Sequence, residues 1–347
     1  MKSEKKTSYT LWWFLFLLLN IAVVVWIAFR EFHTEHPADA FSLGEAGIWY
    51  LLLALLCVGI ILATETAKCS LILRFLGEPI SLRGAFEVVV LGRYYDALMP
   101  TGGGGQPFQI YWLNRKGFSV GACAAMPAAY FITRQAASIL LTLLTFLLFR
   151  DPRNEAVRIA AYLGLFFCAV PPTAELLFSF QPKVTKTAAA WLIKAGVRLH
   201  LIRDYDKALQ KVFRSLSQFH SGISLIAREK KLLSLLLLLS LGCRIALCSL
   251  PFCVLRALGS QVPFLSTLAV TIYLYSAVTL IPTPGNSGVS EGAFYMIFTE
   301  NGISGVFWAM LLWRLFCYYS FLFLGLAVFG RQTLTRSEDF VRNTQGG

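Results

Sequence analysis

Seven stretches of this chain are apolar enough to sit in hydrocarbon: Leu11–Phe29, Ile48–Ala63, Ala124–Phe149, Ile159–Phe180, Leu232–Leu255, Phe264–Ile281 and Ile303–Phe329. Several approach or pass the ~20 helical residues that cross a bilayer core. Hydrocarbon offers the backbone no water, so each N–H and C=O there must be satisfied within the protein. Runs of this length satisfy them as helices. Composition agrees: 56% of the 347 residues are hydrophobic and only 14% charged, which excludes an ordinary soluble domain. The sequence predicts an all-α polytopic membrane protein forming a single membrane domain over 1–347. Ala38-Asp39-Ala40 has the form of a cleavage site but lies too far beyond Leu11–Phe29, so that segment is expected to remain as a first helix.

Charge orients the helices. Between Pro182 and Lys231 there are eleven Lys/Arg and three acids. The positive-inside rule makes 182–231 a cytoplasmic segment. The basic N-terminus and the Arg331, Arg336 and Arg342 tail place both termini on the same side, in a cell membrane. Glu31–Glu45 carries acids and no Lys/Arg and reads as external, whereas Arg150–Arg158 is more basic than an external loop should be. Within the basic segment, Leu201, Tyr205, Leu209, Val212, Phe213, Leu216 and Phe219 recur at helical spacing. That pattern predicts an amphipathic helix on the inner leaflet. Topology already explains the charge, so no nucleic-acid partner is expected.

The chain also repeats itself. "LRFLG" at Leu73–Gly77 matches "LRALG" at Leu255–Gly259, an offset of 182, and the same offset aligns "LMPTGG" at Leu98–Gly103 with "LIPTPG" at Leu280–Gly285. Leu73–Gly105 and Leu255–Ser287 share nine identities in 33 ungapped positions. At offset 180, Arg134 faces Arg314 on the following apolar run. Threading the charges through a bilayer requires two hairpins entering from opposite faces, at about 81–116 and 263–300. The expectation is therefore two inverted repeats, 11–149 and 159–330, each of three transmembrane helices plus one re-entrant helical hairpin. Broken helices in inverted repeats are a transporter signature.

Each hairpin breaks at Pro and Gly. The Gly102, Gly103, Gly104 and Gly105 run lets the chain turn tightly and lets a ligand approach bare N–H groups. Pro107 suits the first turn of a returning helix, whose N-terminus attracts anions. Pro284, Gly285 and Asn286 form the second break. Charges at membrane depth are costly and are paired or functional. Here they are Glu87, Arg93, Asp96, Arg134, Glu175, Arg244, Glu291 and Arg314, while Arg74 and Arg256 lie near segment ends and are expected to snorkel. Arg93, Arg134 and Arg314, with the glycine N–H groups and Gln106, are expected to hold a phosphate. Asp96 or Glu291 is expected to hold an amine or a proton. The eight cysteines lie mostly in apolar runs without C-x-x-C spacing, and no catalytic constellation, metal site or cofactor is expected.

"MPTGGGGQPFQIYWLNRKG", the Arg of "FITRQ" and "IPTPGNSGVSEGAF" resemble the lysylphosphatidylglycerol synthase transmembrane family, the flippase-like domain of the bacterial multiple peptide resistance factor. The resemblance runs over about Leu11–Gly330. It implies a protein that translocates a phospholipid or other polar lipid, with an anionic or aminoacylated headgroup, between leaflets. Many members carry Glu where this chain has Gln106, while Glu291 matches the acid of the second motif. The family name implies an alternative, a phosphatidylglycerol lysyltransferase. The longest polar segment is too short for an acyltransferase domain, so a separate partner would supply it. A secondary transporter of a small polar solute is the third expectation.

Overall fold

The structure, a computed structural model, describes residues 42–99, 105–149, 155–198, 204–278, 286, 288–300, 302–303 and 305–331. The expected first helix, Leu11–Phe29, lies outside these residues. The described chain is helical throughout: α1 (Gly47–Phe75), α2 (Leu82–Leu98), α3 (Gly105–Arg115), α4 (Val120–Leu148), α5 (Glu155–Phe180), α6 (Pro182–Arg198), α7 (Tyr205–Arg228), α8 (Lys230–Ala257), α9 (Phe264–Val278), α10 (Val289–Glu300) and α11 (Val306–Arg314). The last continues through a π turn at Leu315–Tyr319 as far as Arg331. Among the described residues five helices are long and apolar enough to cross a membrane: α1, α4, α5, α8 and the full α11. The chain is a polytopic membrane protein.

Short helices occur where the sequence breaks its apolar runs. α2 has 17 residues and α3 has 11; α9 has 15 and α10 has 12. Each pair follows a long helix that ends in a glycine turn, Gly77 at φ +79° and Gly259 at φ +86°, 182 residues apart. Only glycine adopts such a φ without strain. α2 and α4 begin on Ser81 and Ser119, whose hydroxyls accept from Gly84 N–H and Ala122 N–H.

α1 and α8 are the axis of the fold. They pack side by side and run antiparallel: Tyr50 meets Arg256, Glu65 meets Cys243, and Lys68 meets Ser240. Each divides its buried face between two cores. Ala54, Val58 and Ile61 join Leu250 and Val254 against Phe294 and Trp313, whose rings stack at 4.8 Å. Cys69, Ile72 and Leu73 join Leu236 against Val88, Leu113, Met126 and Ile226. Cys57, Cys69, Cys123, Cys243, Cys248 and Cys253 are buried free thiols.

Two sequence expectations shift. α1 runs to Phe75 instead of ending at Ala63, which carries Glu65 and Lys68 into the interior, each 1% exposed. Lys68 is thus no solvated flank: its Nζ donates to Ser240 Oγ at 2.6 Å and lies 4.2 Å from the Tyr130 ring centroid. The amphipathic helix begins at Tyr205, capped by Asp204, whose carboxyl is held below its usual range by the Lys207 N–H at 3.1 Å. Its apolar side faces protein: α7 packs on α4 and α6, with Ile223 and Ile226 in the core. It is α6 that leaves Val184, Trp191 and Leu192 exposed among Lys183, Lys186 and Lys194.

Helix α5 approaches α9 closely at Gly164, where an added Cβ would lie 1.9 Å from Ser276 O. Gly164→Ala therefore forces the helices apart and is expected to cost ~1–3 kcal/mol, read as a lower melting temperature in detergent. Gly242→Ala, whose Cβ meets nothing within 4 Å, is the matched control and should melt like the parent.

Candidate functional site

The charges at membrane depth gather into two clusters. In the first, α1, α2, α3, α4 and α5 converge. Arg93 on α2 forms a bidentate pair with Glu65 on α1: Nε meets Oε2, and Nη2 donates to Oε1 at 2.5 Å. The Phe321 ring of α11 covers the guanidinium at 4.5 Å. Such a pair needs excellent geometry to offset desolvation, and two parallel N–H···O bonds provide it.

Three residues on, Asp96 sits at the end of α2, where the chain breaks. Its Oδ1 accepts the Gly105 N–H at 2.8 Å, capping α3. Its Oδ2 lies 4.0 Å from Arg134 Nη1, beyond hydrogen-bond reach. The break is tight: a Cβ on Gly105 would lie 2.5 Å from Gly92 O. Only glycine lets α3 start against α2.

Arg134 lies fourteen residues from either end of α4, and its side chain is 34% exposed. It faces a narrow cleft lined by Arg93, Asp96, Gln106, Gln109, Tyr130 and Phe131. The cleft's volume, ≈ 10 Å³, is room for about one water. Glu175 of α5 lies near this cleft, close enough to interact with the Gln106 amide and the Arg134 charge.

The second cluster belongs to α10 and α11. Arg314 and Glu291 are 5% and 3% exposed. Nε lies 2.6 Å from Oε1, and Nη2 donates to Oε2 at 2.7 Å and to Asn286 O at 3.2 Å. Glu291 Oε2 also accepts the Gly288 N–H at 2.7 Å. Asn286 has a φ of +53°, an uncommon backbone conformation outside glycine. The π turn begins immediately after Arg314, as π turns often do at functional positions. Its Tyr318 donates to Ala97 O, one residue past Asp96, at 3.3 Å. That bond ties the second cluster to the first break.

The expected site residues thus divide. Arg93, Asp96, Gly105, Gln106 and Arg134 come together at one cleft; Asn286, Glu291 and Arg314 come together elsewhere. Gly102, Gly103, Gly104, Pro284 and Gly285 lie outside the described residues. The sequence reading did not single out Glu65, Lys68, Tyr130 or Gln109. Glu65 and Lys68 stand three apart in "TETAK", the helix spacing that puts two charges on one face, and that was their available signal. Glu87, expected at membrane depth, pairs with Arg83 at 3.5 Å on α2.

The two kinds of arginine predict different mutant behaviour. Glu65→Gln strands a buried guanidinium and should cost ~3–5 kcal/mol, partly recovered by adding Arg93→Gln. Arg134→Gln removes a partly exposed, long-range pair and should cost no more than ~1 kcal/mol. Thermal unfolding of the three purified variants checks both expectations.

Comparison with known proteins places this geometry in a family. No solved structure matches the chain. A UPF0104 membrane protein of Archaeoglobus fulgidus is 24% identical over 94% of this chain and 98% of its own length. Another UPF0104 membrane protein, of Methanothermobacter thermautotrophicus, is 21% identical over 76% of this chain and 79% of its own. The lysylphosphatidylglycerol synthase TM region family matches residues 12–325, nearly the whole chain, and this protein belongs to that family.

Proposed function

We propose that this protein translocates a phospholipid between the leaflets of a cell membrane, binding the headgroup phosphate at the cleft beside Arg134. The observation that carries the reading is Arg134 itself. An arginine keeps its charge at any relevant pH, and this one stands midway along a membrane-length helix with its nearest carboxylate 4.0 Å away. Its fork is available for the bidentate contact that suits a phosphate. Arg93 and Arg314 are already committed to Glu65 and Glu291, so they hold the two breaks in place more than they hold ligand. Gly105 N–H is committed to Asp96 and is not free for the phosphate.

The cleft admits about one water in this conformation. Headgroup passage therefore requires α2 and α3 to part from α4, with Gln106 and Glu175 opening as a pair. The two breaks would move together through Tyr318 and Ala97.

Inverted repeats fit this reading. The repeat-equivalent helices α1 and α8 run antiparallel, and each is followed by a glycine turn and two short helices. The short pairs α2–α3 and α9–α10 would be re-entrant hairpins from opposite faces. The basic segment would lie in the cytoplasm, with α6 meeting the anionic inner leaflet through Trp191 and its lysines. In a cysteine-free background, single cysteines at Lys116 and Lys207 should label from the cytoplasm and one at Gly259 from outside. External labelling at Lys116 would remove the first hairpin.

The functional test is leaflet transport of labelled lipids in proteoliposomes. Arg134→Gln should abolish transport while retaining the parent's melting temperature, and Arg134→Lys should be intermediate. Transport of a small phosphorylated solute without lipid would favour the solute-carrier alternative. Aminoacyl transfer on addition of a separate acyltransferase would favour the synthetic one.

A further inference from the structure

Arg244 stands near the middle of α8, fourteen residues after Lys230 and thirteen before Ala257. At 1.5 Å per residue it is ~20 Å from either end of the helix, deeper than half of a ~30 Å hydrocarbon core. Snorkelling serves residues near helix ends and cannot bring this guanidinium to water. It is only half-buried, and Ile245 beside it is exposed.

Arg244 lies 4.8 Å above the Tyr275 ring of α9, and no carboxylate lies within ion-pair distance of it among the described residues. The neighbouring Arg314 is balanced by Glu291. In the first cluster Lys68, Arg93 and Arg134 are matched in number by Glu65, Asp96 and Glu175. Among the described residues, Arg244 makes a ring contact where these clusters supply carboxylates.

The repeat makes the difference plain. At offset 182, Tyr275 occupies the position of Arg93, and Arg244 falls on Leu62, one turn before Glu65. The first half joins its long and short helices by a carboxylate on α1 and a guanidinium on α2. The second half joins them by a guanidinium on α8 and a phenol on α9. A cation–π contact offsets only part of the cost of a desolvated charge.

We infer that Arg244 is an anion-binding residue at the membrane midplane, and that its ligand is a phosphate monoester or diester. Resting on the translocation reading above, it is a second phosphate station beside Arg134, in the other half of the molecule. A lipid in transit and a soluble organophosphate share that chemistry. The Tyr275 ring meets the guanidinium 4.8 Å from its centroid, and the phosphate oxygens would take its N–H groups.

The test is equilibrium binding to the full-length protein in detergent, using dihexanoyl phosphatidylglycerol, glycerol 3-phosphate and inorganic phosphate as three separate probes. With Arg134→Gln in the background to remove the first station, Arg244→Gln should weaken the bound probe ~tenfold or more, the loss expected when a charge-assisted bidentate contact is removed. Arg244→Lys, which keeps the charge and so protects the fold, should weaken it less but measurably. Arg256→Gln, which loses only contacts to Tyr50 and Gln261 at the helix end, should leave binding unchanged. Binding of the lipid probe alone supports a lipid source. Binding of glycerol 3-phosphate or phosphate as strongly keeps the anion site and overturns the lipid reading. Binding in the Arg134→Gln background that both Arg244 variants retain overturns the Arg244 site while leaving the Arg134 reading intact. No binding of any probe by the wild type overturns both.

Discussion

A charge buried at membrane depth must find its counter-charge, and the Glu65–Arg93 pair is where this requirement organises the fold. Glu65 lies on α1 and Arg93 on α2, with a turn and a helix start between them. Either charge alone would be costly in hydrocarbon. Together they set the rotation of α2 on α1, which aims Asp96 at the chain break one turn later. The same residue then caps α3 and faces Arg134. One ion pair thereby fixes the geometry of the cleft, which Arg93 lines with its charge already committed to Glu65.

The second half solves the same problem differently. There the capping carboxylate, Glu291, comes from α10, the second helix of its short pair, whereas Asp96 comes from α2, the first of its pair. Both carboxylates cap a backbone N–H at a break and face an arginine on the following long helix. The Arg314 pair is sealed, and the Arg134 pair is loose, with its guanidinium a third exposed. That difference gives the two breaks different work. A sealed pair holds a shape; a loose one leaves hydrogen-bonding capacity for something else. The Tyr318–Ala97 contact lets the rigid cluster report on the open one.

Surface chemistry follows the same economy. α7 has the more regular amphipathic pattern, and its apolar side is satisfied by α4 and α6. The exposed combination of tryptophan, leucine and lysine falls to α6. Amphipathicity shows that a face must be covered, and packing decides what covers it.

The helical class, the positions of the long helices and the two breaks were legible in the sequence. Their signals are local: the length of an apolar run, the Pro–Gly interruptions and the repeated "LRxLG" before each short helix pair. Backbone hydrogen bonding in hydrocarbon leaves such segments no other form. The sequence reading put Arg93, Asp96, Gln106 and Arg134 at one site with Arg314 and Glu291; the structure brings the first four to one cleft and holds the other two in a separate pair. What only tertiary structure decided was which charges are spent on one another. Glu65 and Lys68 looked like the polar end of a helix, because nothing local shows that Arg93, Tyr130 and Ser240 will meet them in the interior. Ser240 is 172 residues from Lys68 along the chain. Such partnerships depend on how α1 and α8 lie against each other, and they separate an arginine that holds the fold from one left open to bind.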